Sequence, residues 1–289
     1  MRKLIINADD FGFTSGVNRG IKKAISEGIV TSVSVMPNMP LAAEIKEISR
    51  QFPQISIGIH LNLTKGWPLL PLEKVTSLVD EEGYFLNRPA KLMAKADLKE
   101  LEAEIRAQFD FLIACGVEIS HLDSHHHLHY HPQVLPLAVQ IAAEYGIKAV
   151  RYPDERFFTG NPDAIHDFVW DYFYPQEVKV EDFYLAWQKG REIIEGLGMK
   201  SPENYVPDFF TKGKIGLNNL LALAENLPEG ISELFCHPGQ VDEDLRKMSS
   251  YTEEREIELY TLTLPGLRED FEQLGIELVN YWAVVGQEG

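Results

Sequence analysis

Aspartate and histidine side chains follow four separate apolar runs of this sequence, and these are residue types that bind divalent metal ions. Carboxylate oxygens and imidazole nitrogens together suit a borderline divalent cation. Three protein ligands with one open position describe a catalytic metal site rather than a structural one. We therefore take as candidates the acidic and histidine residues at the ends of these runs: Asp9, Asp10, His60, Asp123, His125 and His237.

The adjacent pair Asp9 and Asp10 could divide the work of a hydrolysis. An aspartate before a helix often caps it, but this pair directly follows an apolar predicted strand, Lys3–Asn7. One carboxylate at such a strand end can bind the metal. The other can accept a proton from water, because the charge of the ion lowers the pKa of that water.

Six of the nine histidines fall between residues 121 and 131. If this stretch is extended, alternate residues from His121 to His127 share one face, where His125 and His127 could bind one ion. If it is helical, His127 and His131 lie four residues apart instead. We expect at least one metal ligand among the six and hydrogen-bonding roles for most of the others. The six are His121, His125, His126, His127, His129 and His131.

Two histidines outside this cluster are also candidates. His60 lies on a predicted strand beside Asn62, and together with the aspartates and the histidine cluster this favours a metal ligand over a buried core histidine. His237 precedes Pro238 and Gly239, and its position suits a structural role as well as a catalytic one.

The elements that must position these residues alternate between short β-branched runs and longer helical patterns from end to end. This alternation predicts a parallel α/β sheet. Seven or eight such units favour one domain over residues 1–289, a complete or distorted (β/α) barrel, with a doubly wound open sheet as the alternative. In either fold the carboxyl ends of the strands carry the site. The predicted strands are Lys3–Asn7, Ser32–Met36, Ile55–Leu63, Ile119–Ser124, Ala149–Tyr152, Val206–Phe210, Ser232–Cys236 and Ile276–Val285.

Charge and composition exclude several classes of partner. The 27 basic and 44 acidic residues give a net charge of −17, which repels nucleic acid and anionic membrane surfaces. No apolar stretch approaches the ~18–20 residues that cross a bilayer, and we see no export signal. Cys115 and Cys236 form no disulfide framework, so we expect a cytoplasmic protein. A homodimer is left open.

Short motifs occur along the chain in a recognisable order: NADDFG at 7–12, GVNRGI at 16–21, GIVTSVS at 28–34, GIHLNLT at 58–64, HLDSHHHLH at 121–129 and CHPG at 236–239. Val241 and Asp242 follow the last of them. Together these motifs resemble the YdjC-like (ChbG) family, which includes chitooligosaccharide deacetylases. The resemblance implies a distorted (β/α) barrel of the polysaccharide-deacetylase type with about seven parallel strands. It also implies a metal-dependent hydrolase that removes the N-acetyl group from a small sugar or oligosaccharide and releases acetate.

The same resemblance assigns roles to individual residues. It implies one divalent ion, magnesium or zinc with manganese or cobalt as further options, bound by Asp10, His60 and His125. Asp9 matches the family's catalytic base, and His237 resembles the histidine that protonates the leaving amine. Polysaccharide deacetylases of the wider fold bind metal through an H-x-x-x-H pair. The nearest equivalent here, His127 to His131, does not match the YdjC-like ligand positions.

Three further residues are candidates for binding substrate: His127, Arg151 and Asp208. Arg151 could instead steady the base or form a salt bridge. The segment 168–187 holds eight aromatic residues, which we interpret as a sugar-stacking rim or a subunit contact, or alternatively as an aromatic core under a long loop. The competing functions are a metal-dependent sugar isomerase or phosphoesterase, and a carbohydrate-binding homologue without turnover.

Overall fold

The computed structural model describes residues 1–153, 180–206, 209 and 213–286. Within these residues all seven strands pair in parallel, in the order β4-β3-β2-β1-β6-β5, and β7 pairs with β1 as well. The strands are β1 (Arg2–Phe11), β2 (Ser32–Val35), β3 (Ser56–Leu61), β4 (Ile119–Ser124), β5 (Asn204–Val206), β6 (Gly230–Cys236) and β7 (Ile276–Val279).

Isolated bridges carry the pairing around from β4 towards β5. Leu122 of β4 pairs with Val150, and the adjacent Ala149 pairs with Lys200, shortly before β5 begins. Among the described residues, β7 pairs with the first part of β1 alone, through Arg2 to Ile5. The sheet therefore curls into a distorted (β/α) barrel, as the sequence predicted, rather than an open doubly wound sheet.

Helices follow most of the strands and cover the outside of the barrel. None of the described helices is long and apolar enough to span a membrane. They are α1 (Ser15–Ser26), α2 (Ile45–Gln51), α3 (Pro89–Met93), α4 (Leu98–Ala114), α5 (Leu135–Glu144), α6 (Val180–Gly196), α7 (Leu217–Glu225), α8 (Glu243–Met248), α9 (Glu253–Leu262) and α10 (Leu267–Gln273).

Alternation along β1 separates the two sides of the barrel wall. Leu4 and Ala8 pack in the main hydrophobic core, which includes the inner faces of the helices. Ile5 belongs to a second, smaller apolar cluster with Ala149 and Tyr281. Asn7 lies on the same side as Asp9, because its amide Nδ2 donates to Asp9 Oδ1 at 2.7 Å. The barrel interior is thus apolar near the start of β1 and polar near its end.

Buried hydroxyl and imidazole groups fill the middle of the barrel. Ser56 Oγ donates to Ser32 Oγ at 2.8 Å, and the ring of His121 stacks on Tyr281 at 3.5 Å between centroids. Gly58 faces this ring, and a Cβ atom there would lie 2.3 Å from its atoms. Only glycine leaves room for His121 at this level of the barrel.

Element boundaries differ from the sequence predictions where local geometry intervenes. β1 runs on to Phe11, and its pairing with β2 shifts register between Ala8 and Phe11. The last strand ends at Val279, because Asn280 caps a 3₁₀ turn through its side chain. The helix-breaking pair Pro265 and Gly266 separates α9 from α10.

Part of the aromatic segment 168–187 lies outside the described residues. Trp187 is one of the described residues of this segment; it lies on α6 and is 2% exposed. Its ring stacks on Tyr152 at 4.1 Å, and its Nε1 donates to the carbonyl of Pro153 at 3.1 Å. This tryptophan therefore packs in the core and contributes neither to a rim nor to a subunit contact.

Candidate active site

A cavity of about 370 Å³ opens at the carboxyl ends of the strands. Its wall combines residues from the ends of β1, β4 and β6, from the connection after β3, and from the chain around the start of α9. These lining residues are Asp10, Phe13, Lys65, Asn87, His125, His126, His237, Met248, Ser249, Ser250, Tyr251 and Arg255. We refer to this cavity as the cleft.

Asp10, His60 and His125 bring one possible ligand atom each to within 4.8 Å of the other two. Asp10 Oδ1 lies 3.0 Å from His125 Nδ1 and 3.4 Å from His60 Nε2. The other nitrogen of His60, Nδ1, lies 2.8 Å from Asp123 Oδ1. A carboxylate behind a ligating histidine fixes the ring and its tautomer in many metal sites. This donor set of one carboxylate and two imidazoles fits a divalent ion.

A second possible ligand group consists of Asp9, His60 and Asp123. The guanidinium of Arg151 already lies between its carboxylates, 2.7 Å from Asp9 Oδ2 and 2.8 Å from Asp123 Oδ2. A buried cation that neutralises both carboxylates disfavours a metal ion at the same place. The first group is therefore the better candidate.

The backbone at Asp10 is in the left-handed region, with φ at 70°. Regular alternation along β1 would turn Asp10 away from the barrel interior. The register shift and the positive φ instead allow Asp9 and Asp10 to reach the site together. Non-glycine residues in this region carry strain that is often found at functional sites.

Nearby charges shift the pKa values of two of the candidate ligands, Asp10 and His60. Burial opposes ionisation of Asp10, but His125 and Arg255 outweigh it and keep the pKa of Asp10 well below its usual value. Burial likewise opposes protonation of His60, yet the carboxylates of Asp123 and Asp9 raise the pKa of His60 to about 10. The negative charge that favours a proton on His60 would equally favour a metal cation in place of that proton, since a ligating histidine is neutral.

Asp9 is buried behind the cleft. Its Oδ1 accepts hydrogen bonds from Asn7 Nδ2 and Arg151 Nη2, each at 2.7 Å. Its Oδ2 accepts one from Arg151 Nη1, also at 2.7 Å. Arg151 has no exposed surface and also contacts Glu233 and Asp123. Of its three expected roles, these contacts agree with a salt bridge that also steadies Asp9; Arg151 is not among the described residues that line the cleft, and its role in binding substrate stays a prediction.

His237 also lines the cleft. Its backbone amide donates to Glu258 Oε2 at 2.6 Å, and its Nδ1 lies 4.0 Å from Glu258 Oε1. Tyr251 donates to the same Oε1 at 2.5 Å. Burial lowers the pKa of His237 to about 4, against the charges of Asp10 and Asp9. The imidazole is therefore neutral at pH 7 in the absence of added charge.

The remaining histidines of the cluster serve mainly as hydrogen-bonding residues, as expected. His126 Nδ1 lies 2.9 Å from Thr64 Oγ1. His129 Nε2 donates to the carbonyl of Arg151 at 2.7 Å. His127 stacks on Tyr130 at 5.3 Å and is not among the described residues that line the cleft.

Neither conformation considered for the histidine stretch describes it completely. β4 ends at Ser124, and residues His125–Tyr130 form a 3₁₀ turn. His126 and His127 have φ values of 57° and 50°. This turn directs His125 towards Asp10 and His127 away from it. Asp208 lies outside the described residues, and its proposed role in binding substrate stays a prediction, as does that of His127.

Sequence reasoning did not single out Arg255 and Glu258. They lie three residues apart on α9 and are 3% and 0% exposed. Arg255 Nη2 donates to Asp10 Oδ2 at 2.6 Å, while Glu258 accepts from His237. Their helical spacing could have indicated that the two residues share a face of α9. However, α9 carries charged residues on all sides, so no periodicity in the sequence marked its buried face.

Comparison with known proteins gives full-length relatives. A carbohydrate deacetylase from Geobacillus stearothermophilus is 34% identical over 281 residues, covering 97% of each chain. One from Thermoanaerobacter pseudethanolicus is 33% identical, covering 97% of this chain and 98% of its own. One from Vibrio parahaemolyticus is also 33% identical, covering 98% of this chain and 96% of its own.

A solved structure shows the same fold. It is that of a protein from Enterococcus faecalis V583 named for a proposed role in cellobiose-phosphate cleavage. It superposes with a TM-score of 0.78 at 31% identity and covers 98% of both chains. The model of the family described as YdjC-like protein matches residues 3–273. With these relatives and this match over nearly its whole length, the chain belongs to the YdjC-like protein family.

Proposed function

We propose that this protein is a metal-dependent carbohydrate deacetylase that hydrolyses the N-acetyl group of a small N-acetylated sugar or oligosaccharide. The observation that carries the proposal is the convergence of Asp10, His60 and His125, of which Asp10 and His125 line the cleft. The names of the full-length relatives support the reaction.

Asp10, His60 and His125 would hold the ion, and Asp123 would orient His60 from behind. A divalent ion bound there supplies positive charge that polarises a carbonyl and acidifies water. Magnesium, zinc, manganese and cobalt all accept such a set of oxygen and nitrogen ligands, with magnesium or zinc our first choices.

The base in this proposal is Asp9. Its Oδ1 accepts two hydrogen bonds, whereas its Oδ2 accepts one, from Arg151, so Oδ2 keeps a lone pair for a proton. Arg151 holds the carboxylate plane fixed by a bidentate contact. Oδ2 removes a proton from the attacking water as the oxygen–carbon bond forms.

The acid is His237, which lines the cleft near Asp10. As the carbon–nitrogen bond breaks, His237 delivers a proton to the amine nitrogen, and acetate and the amino sugar leave. His237 is neutral before the reaction and takes this proton from solvent, because negative charge that builds up beside the buried imidazole favours its protonated form. Opposed protonation states of Asp9 and His237 predict a bell-shaped pH profile.

The phosphoesterase alternative receives less support. A two-metal phosphoesterase needs two ions about 3.5–4 Å apart that clamp the attacking and leaving oxygens. In this chain the second acidic group, Asp9 with Asp123, is already paired with Arg151.

Acetate release from N-acetylated mono- and disaccharides tests the proposal. We expect activity that disappears after dialysis against a chelator and returns on adding a divalent ion. His60→Ala and His125→Ala should each lose stoichiometric metal, measured by elemental analysis. Absence of acetate release from every sugar in the presence of each candidate ion would contradict the reaction. Full metal retention in both variants would contradict the ligand assignment.

A further inference from the structure

Arg255 is a buried cation that lines the cleft and whose hydrogen bonds are only partly used. It is 3% exposed. Its Nη2 donates to Asp10 Oδ2 at 2.6 Å, and its Nε donates to the carbonyl of Tyr251 at 3.2 Å. Its Nη1 is buried and has no hydrogen-bond partner among the described residues. Buried donors without a partner are uncommon in folded proteins, so Nη1 is a donor that a group entering the cleft could use.

The guanidinium is held in one orientation. The Phe13 ring lies 5.7 Å from its central carbon, and the Tyr251 ring lies at the same distance on another side. Aromatic rings at this distance attract a guanidinium. With Nη2 and Nε fixed by hydrogen bonds, the position of Nη1 is fixed as well. The donor is therefore organised before any ligand arrives.

The surroundings of Arg255 differ from those of Arg151 in charge. Arg151 contacts three carboxylates, those of Asp9, Asp123 and Glu233. Among the described residues, Arg255 contacts one carboxylate, that of Asp10. Arg255 consequently retains more positive charge for a group that enters the cleft.

We propose that Nη1 of Arg255 binds the carbonyl oxygen of the substrate's acetyl group and stabilises the negative charge that this oxygen gains. The inference rests on the proposed function. A guanidinium can only donate, and in an N-acetylated sugar the carbonyl oxygen accepts without donating, whereas each hydroxyl does both. Arg255 also contacts Asp10, so an oxygen bound to Nη1 lies next to the candidate metal ligands, where the reacting carbonyl belongs. Fixed donors aimed at developing charge are a major source of catalysis.

Arg255→Lys tests this role, because lysine keeps the charge and can reach Asp10 with one donor but has no second nitrogen. We expect the variant to keep its metal content and its KM within a few-fold, while kcat falls by about 10²–10³, the usual effect of losing one such donor. Arg246→Gln is the matched control. Arg246 pairs with Glu253 on the surface, with more than half of its side chain exposed, so its loss should leave kcat unchanged.

A second measurement does not depend on turnover. Acetate, the product, offers the same kind of oxygen, and its dissociation constant can be measured by calorimetry with metal-loaded protein. We expect acetate to bind at least tenfold more weakly to Arg255→Lys than to the wild type and to Arg246→Gln. If the variant does not fold, the guanidinium NMR resonances of Arg255 in the wild type should still shift when acetate is added.

Each result supports or overturns the inference. A kcat within threefold of wild type, an unchanged acetate affinity, or Arg255 resonances that ignore acetate would overturn it. Loss of metal in parallel with activity, repaired by excess ion, would also overturn it, because Arg255 would then merely hold Asp10. If the wild type releases no acetate from any sugar, the proposed function fails, and the acetate titration still tests the site.

Discussion

Asp9 and Asp10 are adjacent, chemically identical and each bound by an arginine, but the two arginines hold them differently. Arg151 contacts both oxygens of Asp9 from inside the barrel and has no exposed surface. Arg255 contacts one oxygen of Asp10 and lines the cleft. The other oxygen of Asp10 faces His60 and His125.

The difference shows how two aspartates at one strand end can have different surroundings. The pleat of β1 directs Asp9 towards the interior with Asn7, and the left-handed backbone of Asp10 releases it from that alternation. The inner aspartate is fixed by charge on both oxygens. The outer aspartate has one oxygen beside His60 and His125, where we propose that the metal binds.

Replacing each aspartate in turn by asparagine should have the largest effects on metal binding and turnover. Asp9→Asn keeps size and shape but cannot take up a proton, so we expect metal to remain while turnover falls by about 10²–10⁴. Asp10→Asn should weaken the metal first and lose activity as a consequence, with partial recovery in excess ion. Metal analysis and acetate release with and without added ion distinguish the two.

Which of the two variants loses its metal decides which aspartate is the ligand and which is the base. Loss of metal from Asp9→Asn with retention in Asp10→Asn would mean that the two roles are exchanged. Near-normal deacetylation by both variants would refute the mechanism proposed for this site.

Removing the inner arginine should have the next largest effect, and on stability rather than on metal. Arg151→Met leaves the buried carboxylates of Asp9, Asp123 and Glu233 without their cation, which should cost about 3–5 kcal/mol in the free energy of unfolding. Denaturant titration measures this loss. Combining Arg151→Met with Glu233→Gln should recover part of it; a double variant no more stable than Arg151→Met would contradict the account.

The excess of carboxylates around Arg151 also predicts a pH effect. Burial raises the pKa of Glu233 to about 7, although Arg151 opposes the shift. A carboxyl whose pKa is higher in the folded state contributes stability below its ordinary pKa of about 4.5 and loses it as pH rises through about 7. Glu233→Gln should therefore gain stability relative to wild type between pH 5 and 8, on the order of 1–3 kcal/mol.

His131→Gln provides a control of opposite sign. Burial lowers the pKa of His131 to about 4, so its contribution to stability is present above about pH 6.5 and is lost as pH falls towards 4. The variant should lose less stability than wild type on acidification. If the stability of the wild type, Glu233→Gln and His131→Gln changes with pH in parallel, neither Glu233 nor His131 titrates as described.

An exposed arginine should show the smallest effect. Arg106 lies 2.9 Å from Glu102 and 2.6 Å from Glu144 on the protein surface. Exposed pairs gain little in water, because solvent screens them. Arg106→Gln should unfold at the same denaturant concentration as wild type within experimental error. A loss comparable to that of Arg151→Met would contradict the role assigned here to burial.

The sequence predicted the barrel well, because its elements have strong local signals. The strand Ile119–Ser124 and the break at Pro265 and Gly266 lie where apolar runs and helix-breaking residues indicated. The approach of Asp10, His60 and His125 was implied by the family motifs, and the structure brings them together. That these three bind metal stays a prediction.

Contacts between distant elements could not be predicted. Arg255 reaches Asp10 across 245 positions of sequence, and Arg151 reaches Asp9 across 142. Local patterns of charge do not reveal such partners. The left-handed turn at His126 and His127 was also missed, because a positive φ is uncommon for any residue other than glycine.

The positive φ of Asp10 has a consequence for protein engineering. Glycine adopts this conformation without strain, so Asp10→Gly would relieve the backbone while removing a candidate ligand and the partner of Arg255. A search for thermostable variants that scores only the melting temperature would then favour loss of the site. Selection for stability and selection for turnover should therefore diverge at this one position, as they do elsewhere when strain is kept for function.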